Sequence, residues 1–131
     1  MTGIETELSL PRDQRQARIA NWAEMAFGKA EATSLPQRGL RLLEEAIEAF
    51  QACGGDEAIA HKLVAYVFDR PKGEINQELG GVAVCVLALA AAASLSADEE
   101  ECREISRVLS KPLSTFAQRN AAKNEAGFKI P

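Results

Sequence analysis

From Gly80 to Leu95 the chain reads GGVAVCVLALAAAASL, sixteen residues without a charge. A stretch this apolar gains most by leaving water, so it restricts the fold before any other feature does. It falls short of the about 20 predominantly apolar residues that span a bilayer. Ala and Gly add little to insertion, acidic DEEE follows directly after Ala97, and no basic flank anchors the other side. The expectation is a buried helix, rich in small residues so that neighbouring helices approach closely, with no role for a membrane.

The rest of the composition suits such a helix. Aromatic residues make up 5% of the 131 and alanine is abundant, whereas sheets favour β-branched and aromatic side chains. The length suits one domain, with a core at about 11–110 and a C-terminal tail at 111–131. A net charge of −4 argues against a broad surface for polymeric nucleic acid. Cys53, Cys85 and Cys102 have no C-x-x-C or Cys/His spacing, and three reduced thiols fit a cytoplasmic protein. His61 stands alone, without partners for a His-based metal site or a Ser-His-Asp triad. No basic segment leading into an apolar run marks the N-terminus as a signal peptide.

Pro and Gly divide the chain into five helical stretches. The first runs from about Pro11 to Phe27, with Ile19, Trp22, Ala23 and Ala26 on one face. The segment GKAEATSLP reads as a loop. The second spans roughly Pro36 to Cys53, carries the seam Leu40, Leu43, Ile47 and Phe50 at 3- and 4-residue spacing, and is stopped by Gly54-Gly55. The third begins near an Asp56 cap and ends before Pro71. The fourth covers about Gly73 to Leu95, and Ser96 caps a fifth, which Pro112 bends or breaks. No stretch shows convincing strand alternation. The fold class is all-α.

Two acidic clusters stand out. On a helix each residue advances about 100°, so Arg41, Glu44, Glu45 and Glu48 share one arc beside the second helix's apolar seam. Glu74 and Glu78 are four apart at the entrance to the uncharged run. A Glu-rich arc is also what a solvated helix face looks like, and Arg41–Glu45 and Glu44–Glu48 spacings occur in ordinary surface helices. The second cluster, at the mouth of the most apolar helix, favours a shared cleft. Dense carboxylate oxygen suits Mg²⁺, or Mn²⁺ as the alternative.

LLEEAIEAF resembles the E-E-x-x-E motif of the MazG-like all-α nucleoside triphosphate pyrophosphohydrolases, and QELGGVAVCVLALA resembles their E-x-x-D motif within an apolar helix. The likeness covers roughly Trp22 to Ala93. W-x-x-x-A-F-G, R-G-L-R-L-L-E-E-A-I-E and R-P-x-G-E-x-x-Q-E-L-G-G-V are similar to a phage-type MazG-like subgroup. The resemblance implies a four-helix unit with an additional terminal helix, forming a homodimer or higher homo-oligomer through its helices. It implies Mg²⁺-dependent hydrolysis of a nucleoside triphosphate to the monophosphate and pyrophosphate.

By position, Glu45 and Glu48 match the first acidic pair, Glu78 the glutamate of the second motif and Glu44 the additional glutamate. Gly81 stands where the family's aspartate would sit, so Glu74 completes the metal set or one metal position is missing. The expected metal ligands are thus Glu45, Glu48, Glu74 and Glu78, with Glu44 or Glu45 orienting or deprotonating water. Arg38, Arg41, Lys72, Arg119 and Lys123 are candidates for the phosphates. Trp22 is a candidate for the base, as is Phe27 with less reason, and Asn120 and Asn124 for base edges. Each basic residue also reads as an ordinary solvated side chain, and Trp22 as a core anchor. Gly81 keeps a second class open: a catalytically silent helical dimer that binds nucleotides or a protein.

Overall fold

The computed structural model describes residues 2–130, and these are all-helical, with no strand among them. Eight α-helices follow in order: α1 (Gly3–Leu8), α2 (Arg12–Phe27), α3 (Lys29–Ala32), α4 (Leu35–Ala52), α5 (Glu57–Phe68), α6 (Ile75–Ala92), α7 (Ala97–Ser110) and α8 (Leu113–Lys123), with a π-helical turn at Asn124–Phe128. The boundaries lie where local chemistry sets them. Ser34 Oγ accepts from Gln37 N–H at 3.3 Å, Asp56 Oδ1 from Ala58 N–H at 2.9 Å and Ser96 Oγ from Glu99 N–H at 3.2 Å, each satisfying an amide that the first helical turn leaves open. Pro112 separates α7 from α8.

Two elements escaped the sequence reading. The segment expected to be a loop holds α3, reached through Gly28 at φ +83°, a left-handed turn that glycine adopts at low cost. Upstream, α1 opens with a reciprocal capping box in which Thr2 Oγ1 accepts from Glu5 N–H at 3.2 Å and Thr2 N–H donates to the Glu5 carboxylate at 2.6 Å. Gly3 lets α1 lie close on α7, since a Cβ there would collide with the Ser106 hydroxyl.

Burial is concentrated where α1, α2, α7 and α8 meet, around Ala23, Ala26, Cys102 and Ile105. Ion pairs fasten that region. Arg15, itself buried, reaches Asp98 Oδ1 at 2.6 Å and Glu101 Oε2 at 2.9 Å, and Arg12 holds Glu101 Oε1 at 3.0 Å. Arg18 pairs with Glu7, which is 2% exposed. Three arginines at three-residue spacing on α2 therefore bind α1 and α7.

The uncharged run is helical as expected, but among the described residues nothing buries it. No residue of α5 or α6 is buried, and α6 packs appreciably only against α7. Thirteen large apolar side chains on these two helices are 37–85% exposed, and the α4 seam residues Leu43, Ile47 and Phe50 are open as well. The buried helix expected from the sequence does not form: among the described residues α6 meets only α7 appreciably and stays exposed. By length and composition Ile75–Ala92, of mean hydropathy 1.6, would suffice to cross a membrane. Burying half of the exposed apolar surface would contribute on the order of 10 kcal/mol.

Removing the Arg15 cation leaves Asp98 and the half-buried Glu101 without their shared partner. Arg15→Gln is expected to lower unfolding stability by about 1–3 kcal/mol, read from chemical denaturation. An unchanged midpoint would show that the pairs do not fasten α2 to α7.

Candidate functional site

The end of α2 carries Trp22 and Phe27, and the Gly28 reversal sends the chain back so that α4 runs beside them. On α4, Arg38, Arg41 and Glu45 recur at three and four residues and so share a face. On α8, Phe116, Arg119, Asn120 and Lys123 do the same, and α7 adds Glu104, Arg107 and Val108. Together they line a cleft of about 280 Å³.

One wall is aromatic. Trp22 meets Phe27 edge-to-face at 5.4 Å and Phe116 at 5.0 Å between ring centroids. The Arg38 guanidinium lies 4.9 Å over the Phe27 ring and that of Arg119 lies 5.9 Å over Phe116, both within cation–π range. The cleft thus carries an arginine at each end of a three-ring row.

The other cations are held by carboxylates. Glu44 receives the Lys123 ammonium at 2.5 Å and Arg41 Nη1 at 3.3 Å, which holds its carboxyl below the usual range, Lys123 being the main cause. Arg41 Nη2 also donates to Asn120 Oδ1 at 3.4 Å, while Asn120 Nδ2 donates to Glu31 Oε2 at 2.5 Å. Arg107 pairs with Glu104, again lowering that carboxyl. Glu45 behaves oppositely. Desolvation, then repulsion from Glu48, Glu44 and Glu104, raises its pKa, so it holds a proton more tightly than its neighbours.

Three donor atoms in this cleft have no partner although each is buried: Nε and Nη2 of Arg38 and Nε1 of Trp22. Burial depresses the Arg38 pKa, with Glu31 opposing and Arg41 adding to the effect.

Of the sequence-predicted residues, Trp22, Phe27, Arg38, Arg41, Glu45, Asn120, Arg119 and Lys123 converge here, and Glu44 joins them through Lys123 and Arg41. Glu48 lies one turn further along α4 and acts on Glu45 through its charge. The remaining residues are elsewhere. Lys72 is exposed in the loop before α6, Glu74 is the N-cap of α6 rather than part of its helix, and Glu78 in the first turn folds back over Gly73. Among the described residues no three His, Cys, Asp or Glu side chains form a group able to hold a metal ion. Among the described residues, Glu45 and Glu48 are therefore not joined by Glu74 and Glu78, because α6 does not pack appreciably against α4.

Sequence reasoning missed Phe116, Glu104, Arg107 and Gln37. Phe116 was legible, since it lies three and seven residues before Arg119 and Lys123. Gln37, 2% exposed, clamps the C-terminal backbone: its Nε2 donates to the Phe128 carbonyl at 3.1 Å and its Oε1 accepts from Ile130 N–H at 3.0 Å. Nothing in sequence marks that contact. No protein-family model, curated protein or solved structure matches this chain.

The raised pKa of Glu45 has a signed consequence. The folded state binds that proton more tightly than the unfolded chain, so the ionised carboxylate opposes folding at neutral pH and the penalty fades as pH falls through the raised value. Glu45→Gln is expected to raise the melting temperature at pH 7 by about 1–3 °C, the scale of relieved like-charge contacts. The gain should shrink on acidification. A lower melting temperature at pH 7 would contradict the assignment.

Proposed function

We propose that the protein is a Mg²⁺-dependent nucleoside triphosphate pyrophosphohydrolase, converting a (d)NTP to the (d)NMP and pyrophosphate. The observation that carries this reading is the cleft, where an aromatic row and five cations occupy one site beside the acidic face of α4. A nucleotide presents a planar base and a polyanionic chain, and the cleft offers matching chemistry for both. The MazG-like resemblance of the α4 and α6 motifs supports the same class.

In this reading Arg38 and Arg119 take the phosphates, their forked donors suiting phosphate oxygens. Arg41 and Lys123 are drawn partly away from Glu44 as the polyanion enters. The base lies against the aromatic wall; stacking of this kind is worth about 1–3 kcal/mol per base in nucleic-acid complexes. Glu45 is the group best suited to accept a proton from water, since raised basicity moves a carboxylate toward the working pH of a general base. A divalent ion, Mg²⁺ or Mn²⁺, would polarise the phosphoanhydride and acidify bound water. The available donors, all carboxylates, match such an ion in kind. Among the described residues, one chain alone does not gather them.

The uncovered α4, α5 and α6 surfaces complete the proposal. A homodimer or higher homo-oligomer buries them, forming the four-helix unit that the resemblance implies and bringing carboxylates of α4 and α6 toward a common site. The Ala- and Gly-rich surface of α6 lets a second helix approach closely, and the exposed apolar side chains of α5 and α6 offer it a hydrophobic face. The partner is a second copy rather than a membrane or polymeric nucleic acid, and the three free thiols suit the cytoplasm. Gly81, which supplies no ligand in the second motif, favours one other reading: a catalytically silent dimer that binds nucleotides or a protein.

Pyrophosphate release from a panel of dNTPs with and without Mg²⁺ separates the two. Glu48→Gln and Glu78→Gln are each expected to reduce turnover at least 100-fold, roughly the scale of a lost metal ligand or its outer-shell partner, with helicity unchanged. Near-wild-type turnover for Glu74→Gln would show that Glu74 does not replace the missing aspartate. Absence of turnover across the panel would favour the silent dimer.

Sedimentation equilibrium is expected to give at least twice the chain mass. Leu87→Glu, in the middle of the exposed α6 surface, should shift that equilibrium toward monomer or render the protein insoluble. A soluble wild-type monomer at micromolar concentration would contradict the oligomer.

A further inference from the structure

The cleft contains a more specific feature than its net charge. Its five cations fall into two groups. Arg41, Lys123 and Arg107 already have carboxylate partners in Glu44 and Glu104. Arg38 and Arg119 form no salt bridge among the described residues, and each instead lies over a phenylalanine ring. Arg38 is the more demanding of the two, because its Nε and Nη2 are shielded from solvent and bonded to nothing. A buried guanidinium left this way is costly. Trp22 lines the same cleft, and its indole N–H is also buried and unbonded.

All three open atoms are donors, so the complement they lack is an acceptor. Nε and Nη2 form the side edge of the guanidinium, which takes two oxygens of one oxyanion in parallel. The indole N–H is a third open donor on a residue that lines the same cleft. An uncharged acceptor would satisfy the hydrogen bonds but add nothing to Glu31 in opposing the Arg38 charge.

We propose that Arg38 and Trp22 form a seat for one phosphate group that is held directly by the protein and needs no metal ion, with Arg119 as the second cation for a neighbouring phosphate. The choice of a phosphate chain as the oxyanion rests on the pyrophosphohydrolase reading, whereas the seat itself rests on the unbonded donors. Trp22 then acts through its N–H edge as well as its apolar ring. Metal-independent anchoring would place one end of the polyphosphate before the acidic helix and its ions engage the other.

Trp22 is the only tryptophan, so its fluorescence reports on the seat directly. The test is a titration of the full chain with inorganic pyrophosphate in excess EDTA. Saturable quenching or a spectral shift is expected. Arg38→Lys, which keeps the charge but loses the fork, should weaken binding about tenfold or more, the size of a lost charge-assisted hydrogen bond. Arg119→Gln, an exposed site where folding is not at stake, should also weaken it. Trp22→Phe, followed by calorimetry, should weaken binding severalfold although an aromatic ring remains. Lys62→Gln on α5 should leave it unchanged.

No saturable binding without metal would overturn the proposal, as would equal losses in Arg38→Lys and Lys62→Gln, which would indicate general charge attraction. Turnover with Mg²⁺ but no metal-free binding sinks the seat and leaves the hydrolase reading intact. Metal-free binding without turnover under any condition supports the seat and removes the hydrolase.

Discussion

The contacts of Glu44 with Lys123 and Arg41 tie the acidic helix α4 to the C-terminal helix α8, and the cleft depends on that tie. The carboxylate bridges two cations that would otherwise repel each other across the gap. Asn120 extends the link by accepting from Arg41 and donating to Glu31 on α3. Gln37 secures the chain beyond α8. Side chains 79 residues apart in sequence, such as Arg41 and Asn120, are thereby brought onto one surface. Unequal neutralisation then leaves Arg38 and Arg119 as the cations open to a ligand.

A second constraint acts on the other half of the molecule. α5 and α6 have the apolar content of core helices and the exposure of surface ones. The proposed oligomer would account for both that mismatch and the dispersal of the acidic residues. Glu78 sits at the start of α6, so whatever surface covers α6 also decides what Glu78 faces. In the proposed oligomer, assembly and completion of a metal site would be coupled, since the same helix packing would bring about both.

The helical punctuation was legible in the sequence because its causes are local. Asp56 and Ser96 cap helices where read, and Pro112 separates two others. α1 was not read, although its Thr-x-x-Glu capping box was present in the letters, and α3 was hidden in a segment too short for periodicity to show. Trp22, Arg38, Arg41, Arg119 and Lys123 were all expected to serve one ligand, and they do line one cleft. Lys72 does not, because closeness in sequence to Glu74 placed it with the acidic motif of α6 rather than with α4. Gln37 and Arg107 act through tertiary contacts that no spacing rule encodes. The burial of α6 was misjudged because hydropathy shows that a surface seeks cover without showing which chain supplies it.

The most direct test of the account is a crystal structure with Mg²⁺ and a non-hydrolysable deoxynucleoside triphosphate analogue. The account predicts phosphate oxygens within hydrogen-bonding distance of Arg38 Nε and Nη2, the base beside Trp22, and metal density between α4 and an α6 helix. A nucleotide bound away from this cleft, with Arg38 still unbonded, would contradict it.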